Sequence, residues 1–163
     1  MASIQEKKMH VIIHHSNIQR GMGYRKRLDI DGLMKFLDFI KGDLSFGELY
    51  VGGSFNKSSK QYKIGQKKLY QDRNFTVIID IPSGEKETNV VDVIAKKVLN
   101  CGTKYPNDKI IVLSCHNKFN SPNGLTIRST VNTLKLNGVE VEQWTWNSRG
   151  NSLEPYRKLL ESK

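Results

Sequence analysis

The chain has 163 residues and a formal charge of +10, from 26 Lys and Arg against 16 Asp and Glu; this size predicts one domain over residues 1–163, and the charge favours a polyanionic partner such as nucleic acid. Two cysteines, Cys101 and Cys115, are too few for the disulfide framework of a small secreted protein. No apolar run approaches the roughly 20 residues that cross a membrane and residues 1–8 are too polar for a signal peptide, so we expect an intracellular protein, cytoplasmic or nuclear, with no membrane partner.

The first predicted elements are a short strand and an amphipathic helix. Residues 10–14 have a β-like pattern, with an apolar run at 11–13 between two histidines. In residues 33–40 the apolar side chains recur at helical spacing, with Asp29 or Asp31 as the N-cap and Gly42 as the end. The chain therefore opens as a strand followed by a helix.

The middle of the chain predicts two more strands and two helices. Residues 48–51 form the second strand, and the Ser- and Lys-rich segment 55–71 is interpreted as a basic loop that leads into a weak helix near 65–70. Residues 75–79 form the third strand. The helix at 89–99 has its apolar residues on one face.

The last third of the chain continues the alternation. The fourth strand, 109–114, is a near-continuous apolar run, as in strands covered on both faces of a sheet. A helix at 125–134, a fifth strand at 139–144 and a closing helix at 152–160 follow. This pattern predicts a three-layer α/β/α domain with a central, mainly parallel five-stranded sheet.

Polar clusters follow the first and fourth strands, at residues 14–17 and 115–118. In an open α/β sheet the loops after the strands form the ligand crevice. His14 and His116 are therefore expected to face a common crevice. Asp92, near the start of its helix, is the carboxylate best placed to join them.

Several segments carry a family pattern in their order and spacing. Residues 11–18 are an apolar strand that ends in His-His-Ser-Asn, and residues 27–33, 50–53, 89–93 and 112–119 follow. This series resembles the NYN domains of the PIN-like nuclease superfamily, whose opening strand ends in Asp-Gly-Ser-Asn. The resemblance covers most of the chain. It implies a PIN-like (Rossmannoid) fold and RNA as the partner.

The chain departs from that family at the acidic positions. His14 stands where the family has its first catalytic aspartate, His116 where it has the third, and Lys118 where a further acid often lies; only Asp92 keeps its carboxylate. The family's acidic cluster is taken to hold Mg²⁺ or Mn²⁺, and one carboxylate beside a lysine is a poor site for such cations. We therefore expect no Mg²⁺ or Mn²⁺ cofactor and an RNA-binding pseudo-nuclease.

Other functions stay open. His14 and His116 could act as general base and acid, with Lys118 stabilising the phosphorane, in a metal-independent endoribonuclease-like reaction. Alternatively, His14, His116 and Asp92, with or without Cys115, could bind zinc. A protein-interaction scaffold, alone or as a homodimer, is a further alternative, so enzyme activity stays undecided at this point.

Basic and polar residues near the predicted crevice are the candidates for binding RNA, which we expect to be single-stranded. The candidate contacts to RNA or phosphate are Ser16, Asn17, Arg20, Arg25, Lys26, Arg27, Lys57, Lys60, Lys86, Ser114 and Asn117. Tyr24, Phe55 and Tyr62 could stack on bases, although Phe55 and Tyr62 could equally pack on the core. Strand alternation directs His15 away from the crevice.

Overall fold

A computed structural model describes residues 6–16, 18, 29–55, 60–81, 87–114, 126–146 and 153–155. This part of the chain contains six strands and four helices. The strands are β1 (Lys8–His14), β2 (Ser45–Gly53), β3 (Thr76–Asp80), β4 (Lys109–Leu113), β5 (Glu140–Trp146) and β6 (Leu153–Pro155). The helices are α1 (Ile30–Lys41), α2 (Lys60–Gln71), α3 (Glu87–Lys104) and α4 (Ile127–Leu136).

The strands form one sheet in the order β3-β2-β1-β4-β5-β6. The first five strands in this sheet are parallel, and β6 pairs with β5 in the antiparallel direction. Each parallel connection carries a helix, because a chain that leaves one strand must cross back to start the next in the same direction. The predicted mainly parallel sheet is therefore confirmed.

Alternating side chains of the central strands build two cores, one on each face of the sheet. Ile12 and Val112 pack with residues of α3 and α4, such as Ile94. Their neighbours Ile13 and Leu113 point to the other face, where α1 and α2 supply apolar residues. Beyond their first residues, Lys8 and Lys109, the two central strands β1 and β4 are buried because helices cover both faces, which confirms the three-layer α/β/α architecture.

Helix α1 begins and ends as its sequence predicts. Of the two candidate caps, Asp29 is the one used: its side chain accepts a hydrogen bond from the Gly32 backbone N–H at 3.1 Å. Gly42 follows the helix with φ of 59°, a backbone conformation that glycine adopts without strain.

Among the described helices, none combines the length and the apolar character that a membrane crossing requires.

Helix α4 begins with a capping box. Thr126 Oγ1 accepts the Ser129 N–H at 2.8 Å, and Ser129 Oγ accepts the Thr126 N–H at 3.0 Å.

Replacing Thr126 with alanine should lower the free energy of unfolding by about 1 kcal/mol, measured by urea denaturation. Thr133→Ala, at an exposed position of the same helix, should change it by less than about 0.5 kcal/mol. Equal losses from the two variants would contradict a capping role for Thr126.

Two predicted helices are longer in the structure. The predicted basic loop is shorter, because α2 begins at Lys60 and places this residue on a helix. Helix α3 runs beyond the predicted 89–99 at both ends and passes through Gly102, where an added Cβ would lie 2.4 Å from Leu134 Cδ2. The glycine permits this close contact with α4, which offsets its low helix propensity.

The predicted closing helix is wrong at its start. Residues Leu153–Pro155 form β6 and pair with β5, in a register that sets Pro155 opposite Trp144. Pairing with the outer side of β5 satisfies backbone groups that a helix would have to satisfy locally, and an edge strand tolerates proline. The remainder of the predicted helix, residues 156–160, lies outside the described residues.

Candidate nucleic-acid interface

The sheet has two ends with different chemistry. We call the end at which the five parallel strands finish the carboxyl edge, and the end at which they begin the amino edge. β2 and β3 lie on one side of β1 in the sheet, and β4 and β5 lie on the other side. The strand order therefore reverses between β1 and β4, and in such sheets ligands bind at the carboxyl ends of these two strands.

His14 is the last residue of β1 and reaches this reversal point. It lies opposite Gly52 of β2 and is 1 % exposed. Strand alternation places it on the face of Ile12, which packs against α3. The predicted partners His116 and Lys118 lie outside the described residues, so their approach to His14 stays a prediction.

Asp92 lies in α3, on the same face of the sheet. Because α3 begins at Glu87, Asp92 is in the second turn, deeper than the sequence predicted. Its side chain is 18 % exposed and forms an ion pair with Lys96 at 2.9 Å, one turn along the helix. The carboxylate that we expected in the crevice is therefore paired with a lysine of its own helix.

Asp80 is a carboxylate of the carboxyl edge that our sequence analysis missed. It ends β3, and its Oδ2 pairs with Lys67 Nζ of α2 at 3.0 Å. The signal available in the sequence was a single acidic residue directly after an apolar strand. This acid, too, is paired with a lysine.

Ser16 packs against the backbone of β2. It is 3 % exposed, and a Cβ added at Gly53 would lie 2.7 Å from Ser16 Oγ and 2.9 Å from Ser16 N. Gly53 itself pairs with Asp80. Gly53 therefore packs closely with residues at the carboxyl ends of both β1 and β3. Phosphate binding by Ser16 stays a prediction.

His15 and Phe55 belong to the opposite core, below α2. His15 Nδ1 lies 2.8 Å from Tyr70 Oη, and its ring stacks on Phe55 with the centroids 4.6 Å apart. The expected direction of His15 is confirmed. Phe55 is 1 % exposed. Because its ring is covered by the core, the structure supports the alternative of core packing for this residue, and the predicted base stacking is wrong. Tyr24 lies outside the described residues, and so does the side chain of Tyr62.

Ser114 follows β4 and is fully buried. Its N–H donates to the Trp144 carbonyl at 3.2 Å, and Gln143 Nε2 donates to the Ser114 carbonyl at 3.2 Å. These bonds join β4 to β5 at the carboxyl edge. Gln143 was missed in the sequence because a lone glutamine in an alternating strand normally points to solvent. Phosphate binding by Ser114 stays a prediction.

In the sequence, charge is unequally divided between the segments that follow the parallel strands and the segments that precede them. The segments that follow β1 to β5 contain eight basic residues and two acidic ones, whereas the segments that lead from the helices into β2 to β5 contain one basic and three acidic ones. In the sequence, the segments that follow the strands contain Arg20, Arg25, Lys26, Arg27, Lys57, Lys86, Lys118 and Arg149, with Asp29 and Glu85, and the segments that precede them contain Arg73, with Asp43, Asp72 and Asp108. The eight basic residues of the first set lie outside the described residues.

A second polar cluster lies toward the amino edge. Among the described residues it is the one group of three His, Cys, Asp or Glu side chains that could hold a metal ion: His10, Glu48 and Cys101. Burial acts to raise the pKa of the Glu48 carboxyl, but hydrogen bonds from Tyr50 and Tyr105 outweigh it and hold that pKa below its usual value. Glu48 is therefore ionised at neutral pH.

Most of the predicted RNA-binding residues fall outside the part of the chain that the structure describes. These are Asn17, Arg20, Arg25, Lys26, Arg27, Lys57, Lys86 and Asn117, together with the side chain of Lys60. Their role stays a prediction. No family model, curated protein or solved structure matches the chain.

Proposed function

We propose that the protein binds single-stranded RNA across the carboxyl edge of its sheet and is a pseudo-nuclease. The observation that carries this proposal is the division of charge, with eight basic and two acidic residues in the segments that follow the parallel strands. A polynucleotide releases counterions when lysines and arginines neutralise its phosphates, so a concentrated set of cations binds it more strongly than a dispersed set.

The sheet topology supports the same location. Open α/β sheets bind ligands where the strand order reverses, which here is between β1 and β4. The segments with Arg20 to Arg27 and with Lys118 follow these two strands. RNA rather than DNA is proposed because the segments of the chain resemble NYN domains.

The pairing of the carboxylates favours binding over metal-dependent hydrolysis. Asp80 and Asp92 each form an ion pair with a lysine, at 3.0 and 2.9 Å. Mg²⁺ and Mn²⁺ need oxygen ligands that carry net negative charge, and a carboxylate shared with an ammonium group offers little of it. The burial of His14, at 1 % exposed, favours a positioning role over proton transfer to a bound RNA.

The test is RNA affinity as a function of salt, measured by fluorescence anisotropy with a labelled single-stranded RNA. The triple variant Arg25→Gln, Lys26→Gln and Arg27→Gln should bind about tenfold more weakly or worse, and the slope of log K against log salt should become shallower by about 2. The matched control replaces Lys8, Lys35 and Lys135 with glutamine; these lysines are exposed and lie away from the segments that follow the strands. We expect it to bind within about twofold of the unchanged protein.

Three results would change the proposal. Equal losses from both triple variants would mean that charge acts without a defined site. Binding that is absent at low salt, or that does not weaken as salt rises, would favour a protein-interaction scaffold instead. Cleavage of the RNA in EDTA, abolished by His14→Ala or His116→Ala, would replace the pseudo-nuclease with an acid–base ribonuclease. Duplex RNA and single-stranded DNA in the same assay define the preferred polymer.

A further inference from the structure

We propose that a cavity between α1 and the first half of β2 binds a small aromatic amine. The cavity has a volume of about 330 Å³, at the lower end of the range for small-molecule sites in proteins. Its lining includes Met34 and Asp38 of α1, Phe46 and Leu49 of β2, and Arg73 and Phe75 of the segment before β3. These elements meet toward the amino edge of the sheet, so the site does not depend on RNA binding at the carboxyl edge.

The cavity lies where two neighbouring strands differ in length. The strand β1 pairs with β2 from Ser45 onward, whereas β3 begins only opposite Tyr50. Residues 45–48 therefore have no described strand beside them on the side of β3. Helix α1 packs over the same face, because Leu37 shares a core with Val51 of β2. The cavity opens between this helix and the uncovered stretch of β2.

The walls of the cavity are fixed by packing and by backbone hydrogen bonds. Asn74 and Phe75 follow α2, and their N–H groups donate to the carbonyls of Gln71 and Tyr70 at 3.0 and 3.1 Å. Phe75 is 4 % exposed, and Leu37, which also lines the cavity, is fully buried. A ligand that enters a formed pocket loses less binding free energy to the ordering of side chains.

Most of the lining is apolar and offers aromatic contacts. Phe46 and Phe75 present rings, which pair with another ring edge-to-face or in an offset stack. Met34 adds a flexible thioether, and sulfur makes favourable contacts with aromatic rings. The lining therefore favours a ligand with an aromatic body.

The charge of the lining favours a cationic group on that ligand. The Arg73 guanidinium is paired with Asp31, and Lys41 is engaged at the end of α1, where its Nζ donates to the Leu44 carbonyl at 2.8 Å. Asp38 is exposed and forms no ion pair with another described residue. An ammonium group on the ligand would pair with this carboxylate at the mouth of the cavity, whereas a carboxylate would be repelled.

The test compares two indoles of similar shape and opposite charge, tryptamine and indolepropionate. Each is titrated into the full isotope-labelled chain, and binding is followed by chemical-shift changes. Tryptamine should bind with a dissociation constant of about 1 mM or below, and about fivefold or more tightly than indolepropionate. The signals that shift should belong to residues that line the cavity.

Three variants separate the charge contribution from the space in the cavity. Asp38→Asn should reduce the preference for tryptamine to within about twofold. Glu140→Gln, which removes an exposed acid of β5, should keep the preference. Met34→Trp should weaken both ligands about tenfold or more, because the added ring occupies the cavity. Circular dichroism checks the fold, and if Met34→Trp does not fold, the exposed position of Asp38 leaves Asp38→Asn as the test.

Four results would overturn the site. Tryptamine could cause no shifts up to about 10 mM, or the two indoles could bind equally well. Asp38→Asn could keep the full preference, which would place the binding elsewhere. Finally, a peptide that begins with Trp-Gly-Gly could bind more than about tenfold more tightly than tryptamine, which would reassign the cavity to the amino terminus of a partner protein.

Discussion

Replacing Gly47 with alanine is expected to lower the free energy of unfolding by about 3 kcal/mol or more, because the new methyl group has no room beside His10. An ideal Cβ at this position would lie 2.3 Å from both Cε1 and Nδ1 of the imidazole. The ring is 1 % exposed, bonded to Asp108 and stacked on Tyr105. It cannot move aside without breaking these contacts. Urea denaturation followed by circular dichroism measures the loss.

The control for Gly47→Ala is Gly65→Ala in α2. An added Cβ at Gly65 meets nothing within 4 Å, and alanine is a better helix former than glycine, so this change should stabilise the protein by about 0.5 to 1 kcal/mol. The two substitutions add the same methyl group with opposite expected signs. A Gly47→Ala protein as stable as the unchanged one would mean that the close packing of His10 does not hold in solution.

Gly53→Ala should cost about 2 to 4 kcal/mol, because it combines backbone strain with a steric clash. The φ of Gly53 is 143°, in a region that side chains rarely adopt, and the new Cβ would lie 2.9 Å from the backbone nitrogen of Ser16. The nitrogen belongs to the turn that leaves β1, so it cannot rotate away as a side chain would. The free energy of unfolding in urea checks this value.

Gly138→Ala separates the two contributions at Gly53. Gly138 also has a positive φ, of 81°, but an added Cβ there meets nothing within 4 Å. This substitution should therefore cost only the conformational part, about 1 kcal/mol. If the two variants lose equal stability, the contact between the end of β2 and Ser16 contributes nothing.

Local signals were sufficient to predict most of the fold. Asp29 and Gly42 mark the ends of α1, and the apolar spacing between them identifies the buried face. The apolar run of β4 predicts a strand with helices on both faces, as the burial of Ile110 to Leu113 confirms. Both signals act within a few residues, where side-chain chemistry and backbone preference agree.

Elements that depend on distant partners were harder to predict. β6 exists through pairing with β5, and nothing within its three residues specifies that partner. Helix α3 continues through Gly102 because Leu134 of another helix fills the space beside it. In both cases a tertiary contact outweighs the local propensity.

The same distinction applies to the candidate sites. His14 could be placed at the end of β1 because strand alternation and strand order are readable from apolar patterns. His10, Glu48 and Cys101 lie together in the structure but come from three elements far apart in the chain. Their only sequence signals are single polar residues in apolar segments, which do not indicate that the three meet.

Each of the four described helices follows a parallel strand, so all four begin toward the carboxyl edge of the sheet. Helix dipoles are positive at the amino-terminal end, so the four helices together give the carboxyl edge a positive potential. A polyanion is therefore attracted toward this edge before contact. The rate of association should therefore fall with ionic strength more steeply than the rate of dissociation rises.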